Sequence, residues 1–567
     1  MTTDPRHIEQ ARRQRPPLTR RELTVLILSA VVMVLSPLGI GGALLWAIAA
    51  GLGFSLAALL AAVSSLPVQR GALILWFFGI VAGLAGATVT GLEMLSSHWL
   101  DFIAFPSAAF IGTAFGLFML GGDLRSRPAE NCRRDLFRLV PFWAGLALFA
   151  YFVVQDFNAW GEVVDRSAFW AQQGVAGIES GKFDIVPLAH VNWLPSGLRA
   201  PFITTDTTHP TMNAWRVMLI LAGPWAILCA LIVGLRRRRG YVILGWIAVG
   251  AACLYGIGGF LHQYAEGTIL GFPIPDAALC FGPFIYHNHA GVYLYLNVAV
   301  ALSLTAWHIR RSSHNALRGG PHLVSAFIAL YLALFVGLTN SMGATGVVVA
   351  LGLVAIPATY FIGFSSGRNN FKEIASVTLF ALLFAALAFL FTADLRSLGD
   401  KLQAKSSQYH RTGADDRAPL RRASWALATD GGWSGRVWSG YGAGSFRWVS
   451  PPYQAKQKEQ QDASGKLSIR ALYAHNDWLQ MLAEWGVIGL LPVFAALLWL
   501  GRQLVRAFRP GHAESIPLAC VLLLLGAHAF IDLIFWFTPL MYAAAFISAA
   551  MVAFVAQSSA EGSGKPE

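Results

Sequence analysis

Tyr473-Ala474-His475-Asn476-Asp477-Trp478-Leu479-Gln480-Met481-Leu482-Ala483-Glu484-Trp485-Gly486-Val487-Ile488-Gly489-Leu490 joins a long polar segment to an apolar run ending near Leu500. A His-Asn-Asp cluster therefore stands where a membrane helix leaves water. An imidazole titrates near neutrality, so at a wet helix mouth it can take or give a proton, or bind an anion. Inside the run, Glu484 is costly to bury, and Gly486 and Gly489 admit close approach by another segment. An anchor helix needs none of these residues. Nine positions separate His475 from Glu484, which puts them on opposite faces of a continuous helix, whereas Asp477, Gln480 and Glu484 share a face. Glu484 accordingly reads as a residue that holds neighbouring helices.

Composition sets the class. The chain of 567 residues is 56% hydrophobic and 13% charged, a balance that places it with polytopic membrane proteins. Apolar runs of about 17–25 residues, each long enough to span a bilayer, recur along it. The fold class expected is all-α, a transmembrane bundle of about 14 helices with two polar segments outside the cytoplasm. The divisions are a cytoplasmic tail at 1–22, helices 1–5 over 23–154, a periplasmic segment at 155–215 and helices 6–11 over 216–393. A large basic periplasmic loop follows at 394–476, then helices 12–14 over 477–557 and a tail at 558–567. Arg20 and Arg21 before the first apolar run read as part of a retained tail, because a second run follows without a cleavage site. The five cysteines form neither a disulfide framework nor a metal set.

Basic residues orient this layout. Arg125, Arg127, Arg133, Arg134 and Arg138, then Arg236 to Arg239, Arg310, Arg311 and Arg318, and finally Arg502, Arg506 and Arg509, all fall in connections on one side. The short connections 93–103 and 262–284 on the other side carry neither Lys nor Arg, as the positive-inside rule requires. The net charge of +12 thus reflects topology and does not point to nucleic acid. Segment 394–474 nevertheless holds thirteen Lys or Arg against seven Asp or Glu. A basic surface outside the cytoplasm suits an anionic lipid headgroup such as a diphosphate.

Three further patterns accompany the opening stretch. Arg417-Ala-Pro-Leu-Arg421-Arg422-Ala-Ser-Trp425 predicts a short helix over about 418–429. Trp438-Ser-Gly440-Tyr-Gly442-Ala-Gly444-Ser-Phe446 predicts a tight loop, its glycines free to take positive φ. Gly282-Pro-Phe284-Ile-Tyr-His287-Asn288-His289-Ala-Gly291 opens the helix near 285–307. His287 and His289 lack a carboxylate or cysteine beside them, so they read as polar groups at a helix entrance rather than metal ligands. His528 and Asp532, four apart on a helix expected over 515–537, read as buried polar glue.

The ordered set of arginine helix, Gly-x-Gly-x-Gly-x-Phe loop and His475-Asn-x-x-Leu-x-x-x-x-Glu484-x-Gly486-x-x-Gly489 resembles the O-antigen ligase and O-antigen polymerase superfamily. The resemblance covers roughly residues 280–500. It implies a polytopic inner-membrane glycosyltransferase that moves a glycan from an undecaprenyl-diphosphate carrier to an acceptor hydroxyl at the periplasmic face. The acceptor would be lipid A-core, another glycan or a protein, and membrane lipids surround the enzyme. His475 would assist the acceptor as base or bind the diphosphate, and Arg421 and Arg422 would meet the leaving diphosphate, with Arg470 in reserve. Asn288, Asn476, Arg417 and His287 would complete substrate binding. The chemistry implied is inverting, with no cofactor and no metal. The family usually carries an arginine just before Gly282, where this chain has Phe281, and Ser-Arg-Gly where it reads Ser341-Met342-Gly343. Either Arg421, Arg422 or Arg470 supplies the missing charge, or the donor differs from that of the better-known members. A transporter or lipid flippase is the rival class, and it would show inverted repeats and charges at the bilayer centre.

Overall fold

A computed structural model describes residues 18–37, 45–63, 128–165, 183–200, 212–264, 268–269, 272–273, 280–284, 286–311, 320–364, 379–384, 386, 417–432, 435–461 and 471–562. The helices expected over 72–92 and 104–121, and most of that over 373–393, lie outside them, as does Arg470. The described chain is helical: α1 (Arg20–Leu35), α2 (Leu45–Val63), α3 (Pro128–Arg138), α4 (Val140–Phe157), α5 (Ala214–Gly234) and α6 (Arg238–Tyr264) come first. They are followed by α7 (His287–Arg311), α8 (Pro321–Leu338), α9 (Met342–Gly363), α10 (Ala418–Ala428), α11 (Asp477–Ala507), α12 (Ile516–His528) and α13 (Thr538–Gly562). Among the described residues, α4 to α9, α11 and α13 are the eight helices long and apolar enough to cross a membrane. Side chains such as Leu254, Phe327 and Leu498 face outward at 67–73% exposure, a surface that only hydrocarbon covers without cost.

α7 is the axis. Its apolar window is 94% buried, and it packs against α6, α8, α9, α12 and α13. Small residues let neighbours close in elsewhere. Tyr542 of α13 fills the space that a Cβ would need at Gly51 and Gly223, on α2 and α5. The basic connections gather at one end of the bundle. There Arg310 pairs with Glu514 at 3.0 Å, Arg237 with Glu22 at 3.6 Å and Arg236 with Asp135, and Arg238 donates to Phe554 O. The starts of α5, α7 and α11 and the end of α4 lie at the other end.

Four elements differ from the sequence expectation. Residues 128–138 form an amphipathic helix within what reads as a polar connection. Segment 155–215 carries a small sheet, β1 (Gly161–Asp165) pairing antiparallel with β2 (Phe183–Pro187) and parallel with β3 (Leu198–Arg199). α9 contains two π-helical stretches, Leu351–Ala355 and Thr359–Gly363. The helix expected over 515–537 stops at His528, and residues 529–537 form a loop.

The glycine loop and α11 are built as one unit. Gly486 breaks α11 with φ 65° and ψ −177°, so the helical bonds from Val487 N to Ala483 O and from Ile488 N to Glu484 O do not form. Residues 437–442 enter the gap. Tyr441 N and Gly442 N donate to Ala483 O and Glu484 O at 2.9 and 2.8 Å, while Val487 N and Ile488 N donate to Val437 O and Trp438 O at 2.9 and 3.0 Å. Tyr151 Oη donates to Trp485 O at 2.7 Å. Each backbone group released by the break finds a partner, as a membrane setting demands. A Cβ at Gly486 would stand 2.5 Å from Gly440 N and Trp438 O. The same clash arises at Gly442, 2.6 Å from the Gly197 Cα, and at Gly444, 2.8 Å from the Asn213 N.

Gly486→Ala therefore loses at least about 3 kcal/mol, because clash and left-handed backbone act together. Gly501→Ala is the control, since nothing lies within 4 Å of that Cβ. Thermal melts in detergent should show a large drop for the first and little or no loss for the second.

Candidate functional site

The site grows from the residues of the opening stretch, each of which has a separate task. Asn476 is the N-cap of α11, its Oδ1 accepting from Leu479 N at 3.0 Å. Asp477 Oδ2 accepts from Ile534 N at 2.8 Å and Phe535 N at 2.9 Å, and its own N–H donates to Ala529 O at 2.9 Å. The first residue of α11 thereby clamps the 529–537 loop. Gln480 reaches back to accept from Ala474 N at 3.0 Å and donates to Glu484 Oε1 at 3.2 Å. Glu484 accepts from Gly444 N at 2.8 Å and Phe446 N at 3.0 Å. It holds the glycine loop, not a neighbouring helix, which corrects the reading from its position in the apolar run. His475 precedes the cap in a left-handed conformation, φ 48°.

The clamped loop presents Asp532, and Asp532 is the hub. Its Oδ1 lies 3.5 Å from His475 Nδ1, and its Oδ2 accepts from Asn288 Nδ2 at 2.8 Å and lies 3.6 Å from Arg417 Nη2. Leu533 N donates to Oδ1 at 2.9 Å. Arg417 also donates to Ile531 O and, at 3.4 Å, to Tyr286 Oη. Asn288 donates to the same hydroxyl at 2.6 Å. The Asp532 side chain is 3% exposed, against 29% for both His475 and Arg417. The carboxylate is thus the buried base of the cluster, and the imidazole and guanidinium form its accessible edge. Burial pushes the Asp532 carboxyl up, but the His475 contact, the Arg417 charge and the Leu533 N–H outweigh it and bring it from 3.8 to about 2.

Arg417 is brought beside Asp532, and so beside His475. Arg421 stands one turn along α10, its N–H on Arg417 O. Arg422 turns away, donating to Gln457 Oε1 at 3.0 Å and pairing with Glu459 at 2.7 Å. His287 packs beside Tyr286, with ring centroids 5.1 Å apart, and His289 Nε2 contacts Leu533 O at 2.9 Å. Asp532 is not on one helix with His528: the helix has ended, and the hydrogen bond between the two is Asp532 N to His528 O at 3.1 Å. Sequence reasoning also passes over a second basic pair. Buried Arg447 donates to Tyr473 Oη at 3.3 Å, and buried Arg216 lies within electrostatic reach of both. Arg447 follows Phe446 of the glycine loop directly, so the motif itself could have marked it. Among the described residues, no group of three or more His, Cys, Asp or Glu could hold a metal ion.

Residues 327–494 match the family model described as O-antigen ligase, the superfamily that the motifs of the same region resemble. The match starts in α8 and ends in α11, so it contains Arg417, the glycine loop, His475 and Glu484 but not Asn288 or Asp532. That family consists of glycosyltransferase-type ligases and polymerases acting on lipid-linked glycans. No curated protein matches the chain.

The Asp532 carboxyl contributes to stability in proportion to its fall from 3.8 to about 2, about 2 kcal/mol. Because the folded value lies below the unfolded one, this contribution is complete above about pH 4 and is lost as the pH falls through about 2. The stability gap between the wild type and Asp532→Asn in detergent melts should therefore not shrink from pH 8 to pH 5. A gap that already closes across that interval would show that the carboxyl is not held ionised.

Proposed function

We propose that the chain is an O-antigen ligase-like glycosyltransferase that moves a glycan from an undecaprenyl-diphosphate carrier to an acceptor hydroxyl at the periplasmic face of the inner membrane. The observation that carries this reading is the convergence on Asp532 of His475, Arg417 and Asn288 from three separate stretches of chain. The site lies at the end of the bundle opposite the basic connections, which is the non-cytoplasmic end under the positive-inside rule.

The geometry supports a division of labour. A carboxylate only accepts, so the His475 Nδ1 facing Asp532 carries the proton and Nε2 keeps its lone pair for the acceptor hydroxyl. As the acceptor oxygen bonds to the anomeric carbon from one face, the bond to the diphosphate oxygen breaks on the other, with inversion. The proton passes to Nε2 and leaves later to solvent or to the departed diphosphate. Arg417, with Arg421 a turn behind it, meets the charge that grows on the leaving group, since guanidinium binds phosphate oxygens in pairs. Asn288 orients a phosphate or sugar oxygen beside the same carboxylate. Arg447 and Arg216 add positive potential behind Tyr473. His287, Asn476 and Arg470 belong to the wider binding surface in this reading. The reaction is metal-independent, and ligase is favoured over polymerase or protein O-oligosaccharyltransferase because the matched family model carries that description.

The test is transfer from a purified polyprenyl-diphosphate-linked donor in detergent. His475→Ala should lower kcat by about 10²–10⁴ and Arg417→Ala by about 10²–10³, with partial recovery in Arg417→Lys. Arg422→Ala, held by Glu459, should stay within about twofold of wild type. Addition of EDTA should leave the rate unchanged. A wild-type rate in both His475→Ala and Arg417→Ala would overturn the proposal.

A further inference from the structure

α10 joins the reactive cluster to a second group of side chains. Arg417 stands at its start and Asp430 just beyond its end, with about 16 Å of helix between them, eleven residues at 1.5 Å each. Asp430 is exposed, yet it is held in place: Tyr453 Oη donates to its Oδ2 at 2.7 Å and Tyr441 Oη at 3.3 Å. Both hydroxyls use the same oxygen, and among the described residues none engages Oδ1. Tyr441 lies between Gly440 and Gly442, both at positive φ, so the backbone spliced into α11 fixes where its ring stands. The Trp160 indole N–H donates to Tyr441 O at 3.1 Å, and the two rings meet edge-on at 6.2 Å. The Arg436 guanidinium lies 4.5 Å from the Trp160 ring centre and 5.3 Å from that of Tyr441, and donates to Ser196 Oγ at 3.3 Å. The Lys456 ammonium lies 5.3 Å from the Tyr453 ring centre.

We infer that Trp160, Asp430, Arg436, Tyr441, Tyr453 and Lys456 form a saccharide-binding subsite that holds the outer sugars of the glycan whose inner end reacts at His475. This rests on the transfer reaction proposed above. A saccharide presents hydroxyl groups that donate and accept, and apolar C–H faces between them. The cluster answers with a fixed carboxylate, two tyrosyl hydroxyls, two cations and the edges of three aromatic rings. Because the rings are locked before any ligand arrives, little side-chain entropy is lost on binding. Stability alone does not account for the arrangement. An ion or hydrogen-bond network on a solvated surface adds little to folding, yet three distant chain segments bring their polar groups to this one. The length of α10 spaces the two sites for a chain of several sugars.

Calorimetric titration of the full-length protein in detergent tests this, with two probes. One is the free glycan released by mild acid from the lipid-linked donor, and the other is its reducing-end monosaccharide. The wild type should bind the glycan, and Asp430→Asn and Tyr453→Phe should each weaken it about tenfold, the loss of one charge-assisted hydrogen bond. KM for a long-chain donor should rise in both variants, while kcat and KM for a single-sugar donor stay unchanged. Tyr453→Phe removes one oxygen and should melt as wild type does; should Asp430→Asn fail to fold, Tyr453→Phe and Lys456→Ala decide. Unchanged glycan binding in the variants, or an equal rise in KM for the single-sugar donor, would overturn the inference. Unchanged binding with an inactive His475→Ala removes the subsite and leaves the reaction. Weakened binding in the variants with a fully active His475→Ala removes the reaction and leaves the subsite.

Discussion

A membrane helix that stops being helical must find new partners for its peptide groups, and most of this site follows from how α11 does so at Gly486. Besides Trp485 O, which Tyr151 satisfies, the break frees the carbonyls of Ala483 and Glu484 and the N–H groups of Val487 and Ile488, and hydrocarbon offers nothing to satisfy them. The glycine loop supplies all four partners between Val437 and Gly442. Gly440 and Gly486 face each other across the splice and let the two backbones approach to hydrogen-bonding distance with no Cβ between them, while Gly442 and Gly444 admit the backbone at Gly197 and Asn213. Glu484 completes the splice by accepting from Gly444 and Phe446. A carboxylate buried in a spanning helix is costly until such donors surround it, and here they belong to the segment that it fastens.

The splice transmits position to the chemistry. Fixing 437–446 to α11 fixes the orientation of Arg447 against Tyr473. At the head of the same helix, Asp477 ties down the loop that carries Asp532. The buried Asp532 carboxylate then has two cationic or potentially cationic neighbours, Arg417 and His475, and an amide donor in Asn288. A buried carboxylate so surrounded stays charged, and Asp532 faces the Nδ1 edge of the His475 ring at 3.5 Å. Each step is local, but the residues linked span from Tyr286 to Leu533.

Much of this was legible in the sequence because it depends on short-range pattern. The described spans follow from apolar run length, the basic end from Lys and Arg placement, and the catalytic candidate from the His-Asn-Asp cluster at a helix mouth. What escaped depends on contacts that no spacing encodes. Asp532 looked helical because Phe530, Ile531, Leu533, Ile534 and Phe535 continue the apolar run without a glycine or proline to mark the stop; the loop exists because Asp477 takes its N–H groups. Arg417 could not be ranked above Arg421 and Arg422, since the choice is made by where α10 begins relative to Asp532, 115 positions away. The sheet at 161–199 was hidden by its short strands, and its contacts with the glycine loop, at Gly197 and Trp160, are also long-range.

His475 shows where local preference yields to the site. A non-glycine residue at φ 48° is uncommon and costs some backbone energy. A single residue can hold that conformation only if its neighbours over-determine it. Here Ala474 N is held by Gln480, Asn476 is committed to the cap, and Asp477 is pinned by the 529–537 loop. With both flanks fixed, the left-handed turn is what carries the imidazole off the helix axis and over Asp532. The strain is thus localised at the one residue whose side chain must reach out of the helix, and the three hydrogen bonds that enforce it come from residues of the same motif.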